Sequence, residues 1–254
     1  VFLSAFPMFH IAGLSMALNS GRNGGMMILV PNPRDTDFIC NQLEKNPPSI
    51  LAAVPALLDM LAANPKFAAL DFSKLKTALT GAAPLTRSSY DTVSAIIGEY
   101  KLADIFGMTE TGPCYTTNPP GRYKLGSVGI PLPRANVRIR DVETGTKDMP
   151  YGEPGEVLCS GPQVMKGYHN LPDETANSLR EIDGEIYMFS GDIGYMDEEG
   201  YVFLCDRAKD MLNVGGFKVF WSSELYLDQI RISADFFELS LHHWLYICQK
   251  FLAH

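Results

Sequence analysis

Cysteine is sparse and unorganised in this 254-residue chain: Cys40, Cys114, Cys159, Cys205 and Cys248 form no C-x-x-C pair and no cluster with histidine. That spacing indicates neither a zinc site nor a disulfide framework, and it suits a reducing compartment. Basic residues are outnumbered, with 21 Lys and Arg against 29 Asp and Glu and a formal net charge of -8, so no basic stripe awaits a nucleic-acid backbone. Nucleic acid is not an expected partner. No apolar run reaches the ~18 residues of a membrane span, and no charged leader precedes an apolar stretch. The expected location is the cytoplasm, with peripheral membrane contact left open. Internal repeats and low-complexity linkers are lacking too. So is an initiator methionine: Val1 opens directly on an apolar segment, and the expectation is a piece cut from a longer chain.

What is present is a globular composition. With 46% hydrophobic residues the chain can bury a sizeable core, as one large domain or two small ones. The first hundred residues follow an α/β rhythm: Met26 to Val30 reads as a buried strand, a helix starts at Thr36, and Leu51 to Val54 reads as a second strand. Leu85, Val93, Ile96, Ile97 and Tyr100 recur at a helical period, which predicts a helix over Thr86 to Glu99 with Arg87, Ser88 and Asp91 on its polar face. After about Tyr123 the pattern becomes short strands, including Asn136 to Arg140, Gly155 to Ser160 and a hairpin from Ile193 to Leu204. Asp197-Glu198-Glu199-Gly200 is its turn, with Gly200 placed for positive φ.

Three strings carry chemistry. Phe106-Gly107-Met108-Thr109-Glu110-Thr111-Gly112 sets a hydroxyl beside a carboxylate on a glycine-flanked turn, a pairing suited to a phosphate oxygen and the Mg²⁺ that neutralises it. A plain polar turn is the alternative. Further on, Phe189-Ser190-Gly191-Asp192 offers a carboxylate able to accept from ribose hydroxyls. The third is Asp206-Arg207-Ala208-Lys209-Asp210-Met211. Taken singly, Asp192 and Arg207 read as surface ion-pairing residues; it is the spacing of all three strings that favours a nucleotide site.

In that order and spacing the strings resemble the acyl-adenylate-forming enzymes, the superfamily of acyl-CoA ligases, firefly luciferase and peptide-synthetase adenylation domains. The likeness runs from Val1 to about Glu224. In detail it is most similar to bacterial long-chain fatty acid CoA ligases, through Pro7-Met8-Phe9-His10, Asn32-Pro33-Arg34-Asp35, Leu70-Asp71-Phe72-Ser73, Gly161-Pro162-Gln163-Val164-Met165, Met196-Asp197-Glu198-Glu199-Gly200 and Gly216-Phe217-Lys218-Val219. The resemblance implies an α/β fold: the later half of the large adenylate-forming domain, a helix-covered sheet plus a β-rich subdomain, truncated before the small C-terminal domain. Residues 1–208 would be a partial large domain, 209–225 the hinge and the opening of the small one, and 226–254 an atypical tail.

The implied reaction has two halves. A carboxylic acid attacks the α-phosphate of ATP to give acyl-AMP and pyrophosphate, and the thiol of coenzyme A then displaces AMP. By motif matching, Thr109 would contact the α-phosphate and Glu110 the Mg²⁺. Phe106, where the family usually has tyrosine, would stack on adenine, with Gly107 and Met108 beside it. Asp192 and Arg207 would hold the ribose. Gly81, Ala82 and Ala83 would line adenine and the acyl path, although a strand-to-helix turn explains them almost as well. His10 would lie beside the substrate carboxylate; without the resemblance, a satisfied core histidine would be the plainer reading. Lys209 would be the hinge and Gly215-Gly216 a loop that the small domain brings to the site; an exposed turn explains both equally. A fatty acid is the expected substrate, an aryl acid or a carrier-protein acceptor the rival, and a non-catalytic AMP-binding paralogue a third reading. The family's glycine- and threonine-rich phosphate loop and the small domain's lysine have no counterpart here, so the fragment alone is expected to be inactive. In the tail, Phe237, Leu241, Trp244, Leu245, Cys248, Phe251 and Leu252 share a helical face. A gene-model artefact is its simplest origin, an interaction helix the alternative.

Overall fold

A computed structural model describes residues 1–119, 121–207, 212–214 and 217–219. The chain divides into two compact units, Val1–Leu204 and Cys205–His254. In the first unit, β1 (Phe2–Ser4), α1 (Ile11–Arg22), β2 (Met27–Leu29), α2 (Thr36–Lys45), β3 (Ile50–Ala52), α3 (Pro55–Ala62), α4 (Pro65–Ala68), β4 (Thr77–Thr80), α5 (Arg87–Ile97) and β5 (Leu102–Phe106) alternate as the sequence pattern requires. Two short strands, β6 (Thr116–Thr117) and β7 (Ile130–Pro131), complete a seven-stranded sheet in the order β2-β1-β3-β4-β5-β6-β7, parallel through β5 and antiparallel beyond it.

The start signals of the helices are local. The Asp35 carboxylate accepts from Phe38 N at 2.9 Å to cap α2, and Thr86 Oγ1 accepts from Ser89 N at 3.1 Å to cap α5. Pro55 and Pro65 sit in the first turns of α3 and α4, where no N–H is needed. The predicted helix over Thr86 to Glu99 is therefore present, ending one residue before Gly98, whose φ of +106° takes the chain out of it.

Alternation along the strands sends successive side chains to opposite faces. Leu3, Leu51, Ala78 and Leu102 meet Ile39, Leu43, Leu58, Leu61, Val93 and Ile97 in the main core, beneath α2, α3 and α5. On the other face Ala52 and Leu79 meet Phe6, Ala12 and Met16. Among the described helices, α1 alone packs there.

The expected buried strand at Met26 to Val30 is a correction. It is the outermost strand of the sheet, and Met26 and Leu29 are 50% and 57% exposed, because an edge strand has a neighbour on one side only.

A second sheet holds β8 (Asn136–Arg140), β9 (Gly155–Ser160), β10 (Leu179–Ile182), β11 (Glu185–Met196) and β12 (Val202–Arg207), with α6 (Pro172–Ser178) leading into β10. The hairpin between β11 and β12 turns as expected: Gly200 has φ +83°, and Asp197 Oδ1 accepts from Tyr201 N at 2.9 Å. Its core gathers Tyr115, Val128, Ile139, Val157, Cys159, Met188 and Val202. The second unit is described by a two-stranded antiparallel hairpin, β13 (Leu212–Val214) and β14 (Phe217–Val219). Lys209, Gly215, Gly216 and the tail 226–254 lie outside the described residues. No described helix is long and apolar enough to cross a membrane.

These burials fix the expected cost of two substitutions. Leu58→Ala, fully buried, should lower unfolding free energy by ~2–5 kcal/mol through lost transfer energy and a residual cavity. Leu29→Ala on the edge strand should cost under ~0.5 kcal/mol. Urea unfolding of both variants reads the difference; equal costs would contradict the edge placement.

Candidate active site

The strand order 2-1-3-4-5 is that of a doubly wound sheet, in which ligands gather outside the carboxyl ends of the strands near the point where the order reverses. Here the reversal lies between β1 and β3. The segments leaving β1, β4 and β5 carry His10, Gly81 to Ala83 and Phe106 to Glu110, so three of the sequence-predicted groups fall on one edge of one sheet.

Leaving β5, the chain turns through a single 3-10 turn at Thr109–Thr111. Thr111 holds it closed: its buried hydroxyl accepts from Met108 N and donates to Met108 O, each at 3.0 Å. At Gly107 a Cβ would stand 2.2 Å from Pro113 O and 2.4 Å from Cys114 Cα, so only glycine fits. The turn leaves Thr109 exposed and Glu110 half-buried. The phenol of Tyr168 donates to Glu110 Oε1 at 2.7 Å, and Met165 N donates to Glu110 O at 2.8 Å.

Register brings the neighbouring loop alongside. Thr80 pairs with Asp104, and a Cβ at Gly81 would lie 2.5 Å from Ile105 O. Ala82 has φ +65°, unusual for a residue with a side chain, and both Ala82 and Ala83 are exposed. Phe106 is half-buried, its ring edge-on to Tyr115 with centroids 5.2 Å apart. The small residues after β4 and the partly open Phe106 ring therefore lie on adjoining segments at the same edge.

Asp192 comes from the other sheet. Pairing between β11 and β9 shifts register between Phe189 and Ile193, and this bulge contains Ser190-Gly191-Asp192. Ser190 Oγ donates to Val157 O at 2.6 Å and accepts from Asp192 N at 3.0 Å, while Gly191 N donates to Glu156 Oε1 at 3.0 Å. Such bulges re-aim a side chain. Asp192 is 7% exposed. Burial, then the neighbouring Cys159 and the Asp192 carboxylate, pushes the Tyr115 phenol well above its usual range, so Tyr115 lies within the field of Asp192 while touching Phe106. Arg207 is the last residue of β12.

His10 departs from the core histidine suggested by its apolar neighbours. It is exposed at the N-cap of α1, where Nδ1 accepts from Ala12 N at 3.2 Å.

Two residues of the region are not among those the sequence motifs single out. One is Tyr168, whose partner Glu110 lies 58 residues away. The other is Asp104, a carboxyl on a core-facing strand position between Leu102 and Phe106, which is a legible signal. Burial raises it from 3.8 to about 7, opposed by the Ile105 N–H.

No group of three or more metal-binding side chains occurs among the described residues. The Glu110 carboxylate fits a Mg²⁺ that arrives on phosphates and takes a single protein carboxylate, since Mg²⁺ is commonly held by one or two carboxylates plus substrate oxygens.

Comparison with known proteins agrees with this geometry. The model of the AMP-binding enzyme family matches residues 1–169. The chain is 38% identical over 222 residues to a long-chain-fatty-acid--CoA ligase of Bacillus subtilis, covering 86% of this chain and 38% of that protein. It is 34% identical over 224 residues to 4-coumarate--CoA ligase 2 of Nicotiana tabacum, covering 86% and 41%. Among solved structures, the O-succinylbenzoate coenzyme A synthetase of Bacillus subtilis in complex with ATP and a magnesium ion superposes with a TM-score of 0.75 at 27% identity, over 86% of this chain and 44% of that one. The chain belongs to the AMP-binding, adenylate-forming enzyme family. It spans about two fifths of the length of the curated relatives it matches.

Asp104 yields a test of the electrostatics at this edge. Its folded pKa lies above the unfolded value, so its contribution to stability is present below pH ~4 and is lost as pH rises through about 7. Asp104→Asn should be more stable than the parent at pH 8, by up to ~4 kcal/mol at about 1.36 kcal/mol per unit, and should lose that advantage by pH 4. Denaturant midpoints across pH 4 to 8 that run parallel for the two proteins would contradict it.

Proposed function

We propose that the protein carrying this chain activates a fatty acid as its acyl-AMP and passes the acyl group to coenzyme A. The observation that carries the acyl class is an apolar cleft of about 290 Å³ between α1 and the open face of β3 to β5, lined by Ala12, Met16, Ala52, Leu79, Ile105 and Leu132 among others. Among the described helices α1 alone covers that face, and the cleft reaches Ile105, one residue before Phe106. A flexible aliphatic chain gains by burying its methylenes there, at ~0.8 kcal/mol for each CH₂ removed from water.

In this reading the chain's own groups bind and orient. Phe106 offers a ring face to the adenine, and the exposed Ala82 and Ala83 leave room beside it. Asp192, aimed by the bulge, accepts from the ribose hydroxyls, with Arg207 as the second ribose partner. Thr109 donates to the α-phosphate at the tip of the turn. The half-buried Glu110 presents a carboxylate to Mg²⁺, which supplies charge neutralisation as the phosphate oxygens gain charge. His10, with Nδ1 engaged by the helix, directs its other nitrogen to the acid carboxylate that attacks. Lys209 serves as the hinge between the two half-reactions, and Gly215-Gly216 belongs to the loop delivered to the site for thioester formation. The catalytic effect would be mostly electrostatic, from fixed donors aimed where charge develops.

A second reading has a specific basis in the 34% identity to a coumarate ligase: an aryl acid as substrate. Acid-dependent exchange of pyrophosphate into ATP, measured with a series of aliphatic acids and with 4-coumarate, separates the two. Faster exchange with medium or long aliphatic acids is the expected result, and a strong preference for coumarate would overturn the acyl assignment.

Two substitutions extend that test. Ser15→Phe, on the cleft-lining face of α1, should lower kcat/KM for long acids at least ~10-fold while sparing short ones, because a few lost buried methylenes are worth that much. Glu110→Ala should cut adenylation by ~10²-fold or more with little change in unfolding midpoint. Near-normal turnover at limiting Mg²⁺ would remove Glu110 from its metal-facing role.

A further inference from the structure

We infer that Tyr168 is a positioning residue for the cation site: its phenol holds Glu110 so that one carboxylate oxygen is engaged by the protein and the other is presented to the metal. The inference rests on the reading of Glu110 as the Mg²⁺-facing carboxylate and adds a residue to it.

Glu110 is gripped at both ends by the same segment. Tyr168 Oη donates to Oε1 at 2.7 Å, and Met165 N donates to the Glu110 carbonyl at 2.8 Å. A Cβ at Gly112, just beyond the turn, would lie 3.3 Å from Gln163 O, so the 161–168 segment lies directly against the turn. A glutamate side chain has three rotatable bonds, and a single cation contact would have to order all of them. With the phenol in place that ordering is already done.

Tyr168 is anchored in its turn. Its N–H donates to Thr175 Oγ1 at 2.9 Å, and that hydroxyl donates to Leu171 O at 2.8 Å, tying the tyrosine to the first turns of α6. Gly167 has φ +148°, and a Cβ there would stand 2.8 Å from Thr175 Cγ2, so a side chain at 167 would push the anchor away. The chain of contacts runs from α6 through Thr175 and Tyr168 to Glu110 without passing through either hydrophobic core. Ligating carboxylates are commonly steadied by such outer hydrogen bonds, whose loss costs on the order of 10- to 100-fold in metal affinity.

The test uses Mn²⁺ as the probe, its binding to the protein with a non-hydrolysable ATP analogue followed by the electron paramagnetic resonance signal of free Mn²⁺. Tyr168→Phe should weaken Mn²⁺ binding about 10-fold, and should raise the Mg²⁺ concentration for half-maximal adenylation by a similar factor with kcat at saturating Mg²⁺ kept within about 2-fold. Thr175→Val, which loosens the anchor without touching Glu110, should shift both in the same direction by less. In the Glu110→Gln background, Tyr168→Phe should add nothing, because the two residues act through one oxygen. Unchanged or tighter Mn²⁺ binding in Tyr168→Phe, alongside weakened binding in Glu110→Gln, would overturn the inference and leave the Glu110 reading standing. Unchanged binding in Glu110→Gln would overturn both.

Discussion

The contact on which the site depends is the backbone approach at Gly107, where the turn leaving β5 runs against Pro113 and Cys114 with no room for a side chain. This approach lets β5 reverse into β6 within ten residues, with Tyr115 N donating to Phe106 O at 3.0 Å to close the reversal. Both flanking residues, Phe106 and Met108, then pack at the margin of the second core, while Leu102 on the same strand belongs to the first. One strand thus serves two cores, and the turn between them is held rigid from both sides. A larger residue at 107 would separate the strands and release Thr109 and Glu110 from their place.

The electrostatic character of this edge follows from which carboxyls have partners. Asp104 is buried opposite Thr80, and burial pushes it up to about 7 against the N–H of Ile105. Glu156 is raised by burial as well, opposed by the N–H of Gly191 and by Arg180. Glu110, reached by Tyr168, sits half-buried on the turn after β5.

Much of the fold was legible because it is written locally. The helix at Arg87–Ile97 has its cap, its period and its terminating glycine in consecutive residues, and the turn at Asp197 to Gly200 likewise closes on itself. Met27–Leu29 misled because an apolar run looks the same at the centre of a sheet and at its edge; strand order decides exposure, and order is a long-range property. His10, whose apolar neighbours taken alone would suggest a core side chain, is instead exposed, because its ring nitrogen caps the start of α1. Of the site, the turn at Thr109 and Glu110 could be read as a string, whereas the tie from Tyr168 could not, since nothing in either segment specifies the other.

The bulge at Ser190 to Asp192 shows how the second sheet re-aims a carboxylate. Glycine at 191, with φ +71°, gives up regular pairing, and the freed Ser190 hydroxyl makes the bonds that the ladder would have made. The strand therefore loses little hydrogen bonding while gaining a redirected carboxylate. Tyr115, a fully buried ring, is in contact with Phe106 and within the field of Asp192. On the roles proposed for Phe106 and Asp192, a rigid ring beside both has a functional logic: adenine and ribose are joined at a fixed distance, so the residues proposed for each must be held at a fixed distance too. A smaller side chain at 115 would leave a void that the two sheets fill by shifting toward each other, and the parts of a nucleotide site would then no longer match a single nucleotide.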